Sequence, residues 1–174
     1  MRRSKISLKA EVSSRGGVSD LLKEPGDAVL IQRGAPRWLM LKCPCGCGEE
    51  IPVNLDARAG KAWRLYRNRS GLTLFPSVWR DTGCEAHFII WRDQIVTFGG
   101  GQASNNTPAL TLDVSDLAKR TLAAWPAGDF ILYVDVADKL GEIPWDVQEA
   151  CYRLVEMGLM VAGEGSNRGT FRKV

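Results

Sequence analysis

The sequence has a single histidine, no long apolar run and only a small excess of positive charge. No apolar stretch approaches the roughly 20 residues that a membrane-spanning helix needs, and the opening Met-Arg-Arg-Ser-Lys is not followed by the apolar core of a signal peptide. The formal net charge of +3 is too small to indicate a strong binder of polyanions. We therefore expect a cytoplasmic protein with no membrane partner.

The composition indicates a folded chain with one full domain and a smaller second one. Hydrophobic residues make up 45% of the sequence and charged residues 25%, both near the averages for globular proteins. Single domains usually contain about 100–200 residues, so a chain of 174 residues leaves room for a second unit. This composition argues against disordered and fibrous architectures.

The five cysteines are an odd number and follow no export signal. Disulfide frameworks belong to oxidising compartments, whereas the cytosol keeps thiols reduced. We therefore expect these cysteines to bind a metal or to take part in chemistry rather than to form disulfides.

The most linker-like stretch is Gly99–Pro108, which is rich in glycine and small polar residues. Such residues cannot bury much apolar surface, so we place a linker at residues 99–110. Before it, short β-branched or aromatic runs between turn residues predict strands. The runs are Ala28–Gln32, Trp38–Lys42, Ile51–Asn54, Trp63–Tyr66, Leu72–Phe75, Phe88–Trp91 and Gln94–Phe98. Arg92-Asp93 is predicted to be a hairpin turn, and one short helix is predicted at Val18–Lys23 with Ser19 or a neighbour as its cap.

After the linker the hydrophobic period changes from two residues towards 3.6, which indicates helices. Gly141 is suited to end a helix and Pro144 to begin one. The predicted order begins with a helix capped by Ser115, a strand at Phe130–Val134 and a helix ending near Leu140. A third helix follows from Pro144, with Val147, Cys151 and Leu154 on its inner face. The chain is then predicted to end in a hairpin of Leu159–Val161 and Thr170–Val174. This is the order of elements in a winged helix-turn-helix domain.

Three cysteines lie within five residues, in the stretch Cys43-Pro44-Cys45-Gly46-Cys47. Cys84 supplies a fourth candidate ligand, and thiolates bind zinc tetrahedrally at about 2.3 Å. Such bonds can hold together a small sheet whose core is too thin alone. We therefore predict a structural Zn²⁺ site from Cys43, Cys45, Cys47 and Cys84. The alternatives are small buried side chains or redox-active thiols, and Cys151 is expected to be a core residue.

His87 gives the site five candidate ligands for four positions. If the four cysteines complete the site, His87 is free to act as a general base. If His87 binds the ion instead, one cysteine is spare and the chain has no histidine base. An ordinary structural role is the third alternative.

Four stretches near these residues resemble a known family of small bacterial and phage proteins. The matching stretches are Arg33-Gly34-x-Pro36-Arg37-Trp38, Cys43-Pro44-Cys45-Gly46-Cys47-Gly48, Thr73-Leu74-x-Pro76-Ser77-Val78 and Gly83-Cys84-x-Ala86-His87-Phe88. Some members are encoded beside bacterial ubiquitin-like conjugation genes and are proposed to be peptidases or deconjugases. The resemblance covers roughly residues 28–98 and implies a hydrolase that acts on a ubiquitin-like protein.

One position departs from the family pattern. The last stretch usually has a serine where this chain has Ala86, so the resemblance implies an inactive copy if that serine is the nucleophile. Adjacent strand residues point to opposite faces, so a serine at position 86 would pair with His87 only across a bulge. Ser77 is the other candidate nucleophile. The alternative role for Ser77 is structural, with its hydroxyl forming a hydrogen bond to the backbone of a turn. Asp81 or Glu85 could orient the base, and glycines near Cys45 and Cys47 could supply oxyanion donors.

We therefore predict an α+β protein with a β-rich zinc-binding peptidase domain at residues 1–98 and a small winged helix-turn-helix-like domain at 111–174. The leading function is a zinc-stabilised serine-type peptidase or deconjugase, inactive in this copy, whose partners are a ubiquitin-like protein or its conjugation enzymes. The alternative is a protein-binding adaptor or a zinc-containing DNA-binding regulator. The third predicted helix carries Asp146, Glu149 and Glu156 against Arg153 alone, which argues against nucleic acid. The sequence leaves the oligomeric state open.

Overall fold

The computed structural model describes residues 2–98 and 114–174. The chain divides into two compact units, Met1–Asn105 and Asn106–Val174. The linker predicted at residues 99–110 lies outside the described residues. The described parts form an α+β protein, with a β-rich N-terminal region and three helices in the C-terminal region. None of the described helices is both long and apolar enough to cross a membrane.

The described part of the first unit is built from antiparallel strands and one parallel pair. Its strands are β1 (Arg2–Lys5), β2 (Ser7–Val12), β3 (Asp27–Arg33), β4 (Ala35–Lys42), β5 (Glu50–Asn54), β6 (Arg64–Asn68), β7 (Gly71–Trp79), β8 (His87–Trp91) and β9 (Gln94–Phe98). One sheet has the strand order β2-β3-β4-β5, and the other has the order β1-β9-β8-β7-β6. The parallel pair is β2 with β3, and the chain between them is long enough for the crossover that parallel strands need.

The main core of the first unit lies between the two sheets. The four-stranded sheet contributes Leu39, Leu41 and Val53, which are almost fully buried, and the five-stranded sheet contributes buried side chains such as Phe88 and Ile90. Along β8, buried and half-buried side chains alternate, as expected for a strand with one face on a core. A second, smaller core covers the other face of β3 and β4.

Each predicted strand of the first unit overlaps an observed one, but β1 and β2 were not predicted. Their sequence is rich in charged residues and poor in β-branched ones, so pairing with β9 and β3 decides their conformation. The short helix predicted at Val18–Lys23 is a 3₁₀ turn at Ser19–Leu21 without a side-chain cap, because its N-cap residue is Val18, whose side chain has no polar group. Ser19 lies inside the turn, and its hydroxyl donates to the Glu50 carboxylate at 2.9 Å. The Arg92-Asp93 turn is confirmed, and both residues have positive φ, as a two-residue hairpin requires.

The second unit packs three helices against a small sheet. Its elements are α1 (Val114–Ala124), β10 (Ile131–Leu132), α2 (Tyr133–Leu140), α3 (Pro144–Glu156), β11 (Met160–Ala162) and β12 (Thr170–Lys173), and the sheet order is β10-β12-β11. Pro144 begins α3, and Gly141 ends α2 with a left-handed φ of 65°. Both were predicted, as was the terminal hairpin.

Two predictions for the second unit require correction. The strand expected at Phe130–Val134 contains only Ile131 and Leu132, because α2 already begins at Tyr133. Ser115 lies within α1 rather than before it. The inner face of α3 was correctly predicted, since Val147, Cys151 and Leu154 are buried.

Candidate metal centre

Four cysteines from two separate loops converge in the first unit. Cys43, Cys45 and Cys47 lie in the loop between β4 and β5, and Cys84 lies in the loop between β7 and β8. The four Sγ atoms are all within 4.8 Å of one another. Because β4 and β5 belong to one sheet and β7 and β8 to the other, this cluster joins the two sheets at one end of the core.

Backbone hydrogen bonds shape the loop that carries the first three cysteines. The N–H of Cys43 donates to the Glu49 carbonyl at 2.8 Å, and the N–H of Gly46 donates to the Cys43 carbonyl at 3.2 Å. Gly46 and Gly48 have φ values of 90° and 84°, which side chains with a Cβ rarely adopt. The glycines between and after the cysteines therefore allow the chain to curl so that the sulfur atoms face one another.

An ion pair links this loop to the loop that carries Cys84. Arg80 contacts the Glu49 carboxylate at 3.1 Å, and a Cβ at Gly83 would lie only 2.8 Å from that carboxylate. The Arg80 N–H also donates to the Ala86 carbonyl at 3.0 Å, which closes the second loop on itself. These residues hold the two cysteine-bearing loops together. Sequence reasoning missed Glu49 and Arg80, because no spacing pattern connects residues in two different loops.

The spacing of the sulfur atoms is consistent with a metal site. A zinc ion with thiolates at about 2.3 Å places the sulfur atoms about 3.8 Å apart. The Cys43 Sγ lies 3.7 Å from the Cys84 Sγ and 3.2 Å from the Cys45 Sγ. None of these cysteines is in a disulfide. The cluster can therefore hold a metal ion, and its chemistry is consistent with structural zinc.

The burial of Cys43 bears on the charge that its sulfur can carry. Cys43 is fully buried, and this burial raises the pKa of its thiol well above the ordinary value. A thiolate at that position therefore needs a cation beside it. The N–H of Cys47 points to the Cys45 Sγ at 3.4 Å, as expected for a donor that stabilises a thiolate ligand.

His87 is outside the group of described residues whose ligand atoms lie together. It opens β8 and pairs with Trp79 on one side and Phe98 on the other. Its ring centroid lies 5.8 Å from that of Trp79 and 4.9 Å from that of Phe98. The imidazole thus belongs to an aromatic row across the outer face of the five-stranded sheet.

The two candidate nucleophile positions differ in their surroundings. Ala86 is only 5% exposed and packs in the main core, together with Cys43 and Phe88. Ser77 is half-buried in β7, just before the buried Val78, and its carbonyl accepts a hydrogen bond from the Trp63 indole at 3.2 Å. The register between β7 and β8 shifts between Leu74 and Val78, so Ser77 lies in an irregular stretch of the pairing.

The expected helpers of a histidine base are not assembled around His87. Asp81 and Glu85 are exposed in the loop before β8, and within residues 2–98 and 114–174 neither forms a hydrogen bond or an ion pair with His87. The N–H of Gly46, expected as an oxyanion donor, is used within its own loop. The described geometry contains four cysteines that could hold a metal ion, but no hydrogen-bonded triad among these residues.

Comparison with known proteins finds one family model that matches part of the first unit. Residues 15–98 match the family model described as bacterial ubiquitination-like system serine protease (BubE). The matched stretch includes all four clustered cysteines, Ser77, Ala86 and His87, and it confirms the resemblance predicted from the sequence motifs. No curated protein matches the chain. No solved structure matches it either.

Proposed function

We propose that residues 1–98 form a zinc-stabilised, serine-type peptidase or deconjugase domain that acts on a bacterial ubiquitin-like protein in the cytoplasm. The observation that carries this proposal is the match of residues 15–98 to a family described as a serine protease of a ubiquitination-like system. A ubiquitin-like protein or its conjugation enzymes are the corresponding partners.

The metal has a structural role in this proposal. Cys43, Cys45, Cys47 and Cys84 supply four sulfur ligands within 4.8 Å of one another, which leaves no open position for a water or substrate. Catalytic zinc usually has three protein ligands and one exchangeable position. Hydrolysis would therefore depend on a serine, whose Oγ attacks the carbonyl carbon while a histidine takes the proton and passes it to the leaving amine.

We further propose that this copy binds its partner without cleaving it, because Ala86 stands where the resembling family has a serine. The backbone at Ala86 is held by its carbonyl, which accepts from the Arg80 N–H at 3.0 Å, and by its position two residues after Cys84. A methyl group cannot act as a nucleophile, whatever its position.

The strand geometry keeps Ser77 as the rival nucleophile. Trp79 pairs directly with His87, and alternation along β7 puts Ser77 on the same face as Trp79. Diagonal neighbours on one face of such a pair lie about 7–8 Å apart, so the irregular stretch between Leu74 and Val78 would have to move to bring the hydroxyl within hydrogen-bond reach of the imidazole. Ala86, in contrast, packs in the core.

The test compares the natural chain, Ala86→Ser, Ser77→Ala and the double variant on a ubiquitin-like precursor that carries a C-terminal extension, with cleavage followed by mass spectrometry. Cleavage only by the two variants that contain Ala86→Ser supports an inactive copy. Cleavage by the natural chain that is lost in Ser77→Ala assigns the nucleophile to Ser77 and contradicts the inactive state. No cleavage by any of the four, across several precursors, contradicts the peptidase proposal.

For the second unit we propose a winged helix-turn-helix fold, connected to the first by a linker at residues 99–110. Its support is the order of elements: three helices, with strand β10 before α2 and the hairpin β11–β12 after α3, all three strands in one sheet.

A protein-binding role for this unit is favoured over DNA binding by the charges on α3. Arg153 is its only basic residue, and it lies 3.6 Å from Glu149 and 3.4 Å from Glu156. An acidic helix repels phosphates. The acidic charge of α3 therefore supports the adaptor alternative. This alternative predicts that the chain captures a ubiquitin-like protein and that no variant cleaves it. Duplex DNA binding with a steep salt dependence would contradict it and favour a regulator.

A further inference from the structure

A second candidate site lies at the opposite end of β4 from the cysteine loop. A groove of about 450 Å³ opens between the segment that follows β2 and the turn that joins β3 to β4. Its polar lining includes Ser13, Arg15, Arg33, Arg37 and Asp56. Arg33 and Arg37 belong to one of the sequence stretches that resembles the family, yet the proposed peptidase site gives them no role.

Two of the arginines are positioned by contacts that leave guanidinium nitrogens available. The Nε of Arg33 donates to the Ser13 carbonyl at 2.7 Å, which orients the side chain along the groove. The guanidinium carbon of Arg15 lies 4.5 Å from the ring centroid of Trp38, a stacking distance that holds the cation over an aromatic face. Arginine stacked in this way can still donate from the edge of its planar group.

The third arginine has a donor without an acceptor. Arg37 forms an ion pair with Asp56 through one terminal nitrogen, but its Nε is buried and has no hydrogen-bond partner among the described residues. Buried donors without an acceptor are rare in native structures, and a water or a ligand oxygen could supply the acceptor for this one.

The charges of the groove favour a singly charged acceptor. Three arginines face one carboxylate, Asp56, and this carboxylate is also bound by Arg58 at 2.8 Å and 3.0 Å. The lining therefore has a positive excess, but Asp56 would repel a phosphate dianion more strongly than a carboxylate. Ile31, Trp38 and Ala59 add apolar surface, which suits the aliphatic part of a peptide.

We propose that this groove binds a carboxylate of an acidic peptide segment, through the guanidinium groups of Arg15, Arg33 and Arg37. Arginine forks match the planar geometry of a carboxylate, which can accept two parallel hydrogen bonds. The proposal does not require peptidase activity, and it places a partner contact on the four-stranded sheet, away from His87.

The test measures binding of a fluorescent nine-residue peptide with four glutamates to the full chain, by anisotropy at fixed ionic strength. The same peptide with four glutamines is the ligand control. The proposal predicts that the glutamate peptide binds at least about tenfold more tightly, and that Arg33→Ala and Arg15→Ala each weaken it about tenfold. Arg37→Lys keeps the charge but removes the buried Nε, and it should also weaken binding.

Arg69→Ala is the matched protein control, because Arg69 is exposed and does not line the groove. Its affinity for the glutamate peptide should equal that of the natural chain. Equal binding of the two peptides, or an equal loss in Arg69→Ala and Arg33→Ala, would overturn the proposal. So would displacement of the peptide by inorganic phosphate, or by a single-stranded oligonucleotide, at a lower concentration than unlabelled peptide needs.

Discussion

The cysteines of the two units have different surroundings. In the first, four cysteines from two loops bring their sulfur atoms within 4.8 Å of one another at one end of the core. In the second, Cys151 is fully buried on α3 among apolar side chains, and this burial raises the pKa of its thiol to about 12. The same side chain is thus a candidate metal ligand in one unit and a small core residue in the other.

The two cysteine settings differ in the neighbours of the cysteine rather than in its burial. Cys43 and Cys151 are both 0% exposed, but only Cys43 has other sulfur atoms within ligand distance. In the first unit the cluster lies where loops of the two sheets meet. The second unit is held by large aromatic side chains, since the rings of Trp125 and Phe171 meet edge to face at 6.1 Å.

The sharpest way to test the comparison is Cys84→Ser. We expect this variant to lose its metal and to unfold the first unit, because zinc binding supplies about 10–16 kcal/mol of folding free energy in small zinc domains. Zinc content and amide hydrogen exchange in β8 and β9 measure the two effects. Retention of one zinc per chain with native exchange would show that Cys84 is not a ligand.

A large effect confined to the second unit is expected for Phe171→Ala. Phe171 is fully buried and contacts both Trp125 and Tyr152, so the substitution should destabilise this unit by about 3–5 kcal/mol. Amide exchange in α1 and α3 should rise while zinc content stays unchanged. Phe130→Ala is the control, because Phe130 is only half-buried and should cost clearly less.

Cys151→Ser is the direct counterpart of Cys84→Ser. A buried hydroxyl without a partner costs about 1–3 kcal/mol, so the second unit should be weakened but remain folded. The zinc content should equal that of the natural chain, as measured by atomic emission. A loss of zinc in this variant would contradict the distinction between a metal-binding cluster in the first unit and a core cysteine in the second.

A smaller, pH-dependent effect is expected at Asp27, which is 3% exposed in the first unit. Burial alone raises the pKa of its carboxyl, but hydrogen bonds from the Glu24 N–H, the Lys9 ammonium and the Lys23 N–H lower it below 3.8 overall. Because the folded pKa is depressed, the carboxylate stabilises the fold above the unfolded pKa, and this contribution is lost as the pH falls through the folded value.

Asp27→Asn should therefore cost about 1–2 kcal/mol at pH 7 and less below about pH 4. Urea unfolding at a series of pH values, with zinc present, measures the difference between the two proteins. A difference that stays constant from neutral to acidic pH would show that the charge of Asp27 does not contribute.

The sequence predicted the parts of this structure that depend on local pattern. The spacing of Cys43, Cys45 and Cys47 indicated a metal site, and Pro144 and Gly141 marked helix ends where the structure has them. Each of these signals comes from a side chain that constrains its own backbone or that suits one kind of ligand.

The rest depended on contacts between distant segments. Strands β1 and β2 owe their conformation to β9 and β3, and no propensity in their charged sequence indicates it. The ion pair of Glu49 with Arg80 and the burial of Ala86 arise only once the two sheets have packed. The groove at Arg37 was likewise not predicted from the sequence, because its residues come from three separate segments.

X-ray absorption at the zinc edge of the purified chain tests the central claim most directly. The account predicts one zinc ion per chain with four sulfur neighbours at about 2.3 Å and no nitrogen neighbour. A shell of three sulfurs and one nitrogen would place His87 on the metal and remove it from the proposed catalytic pair. A protein that folds without stoichiometric metal would contradict the account altogether.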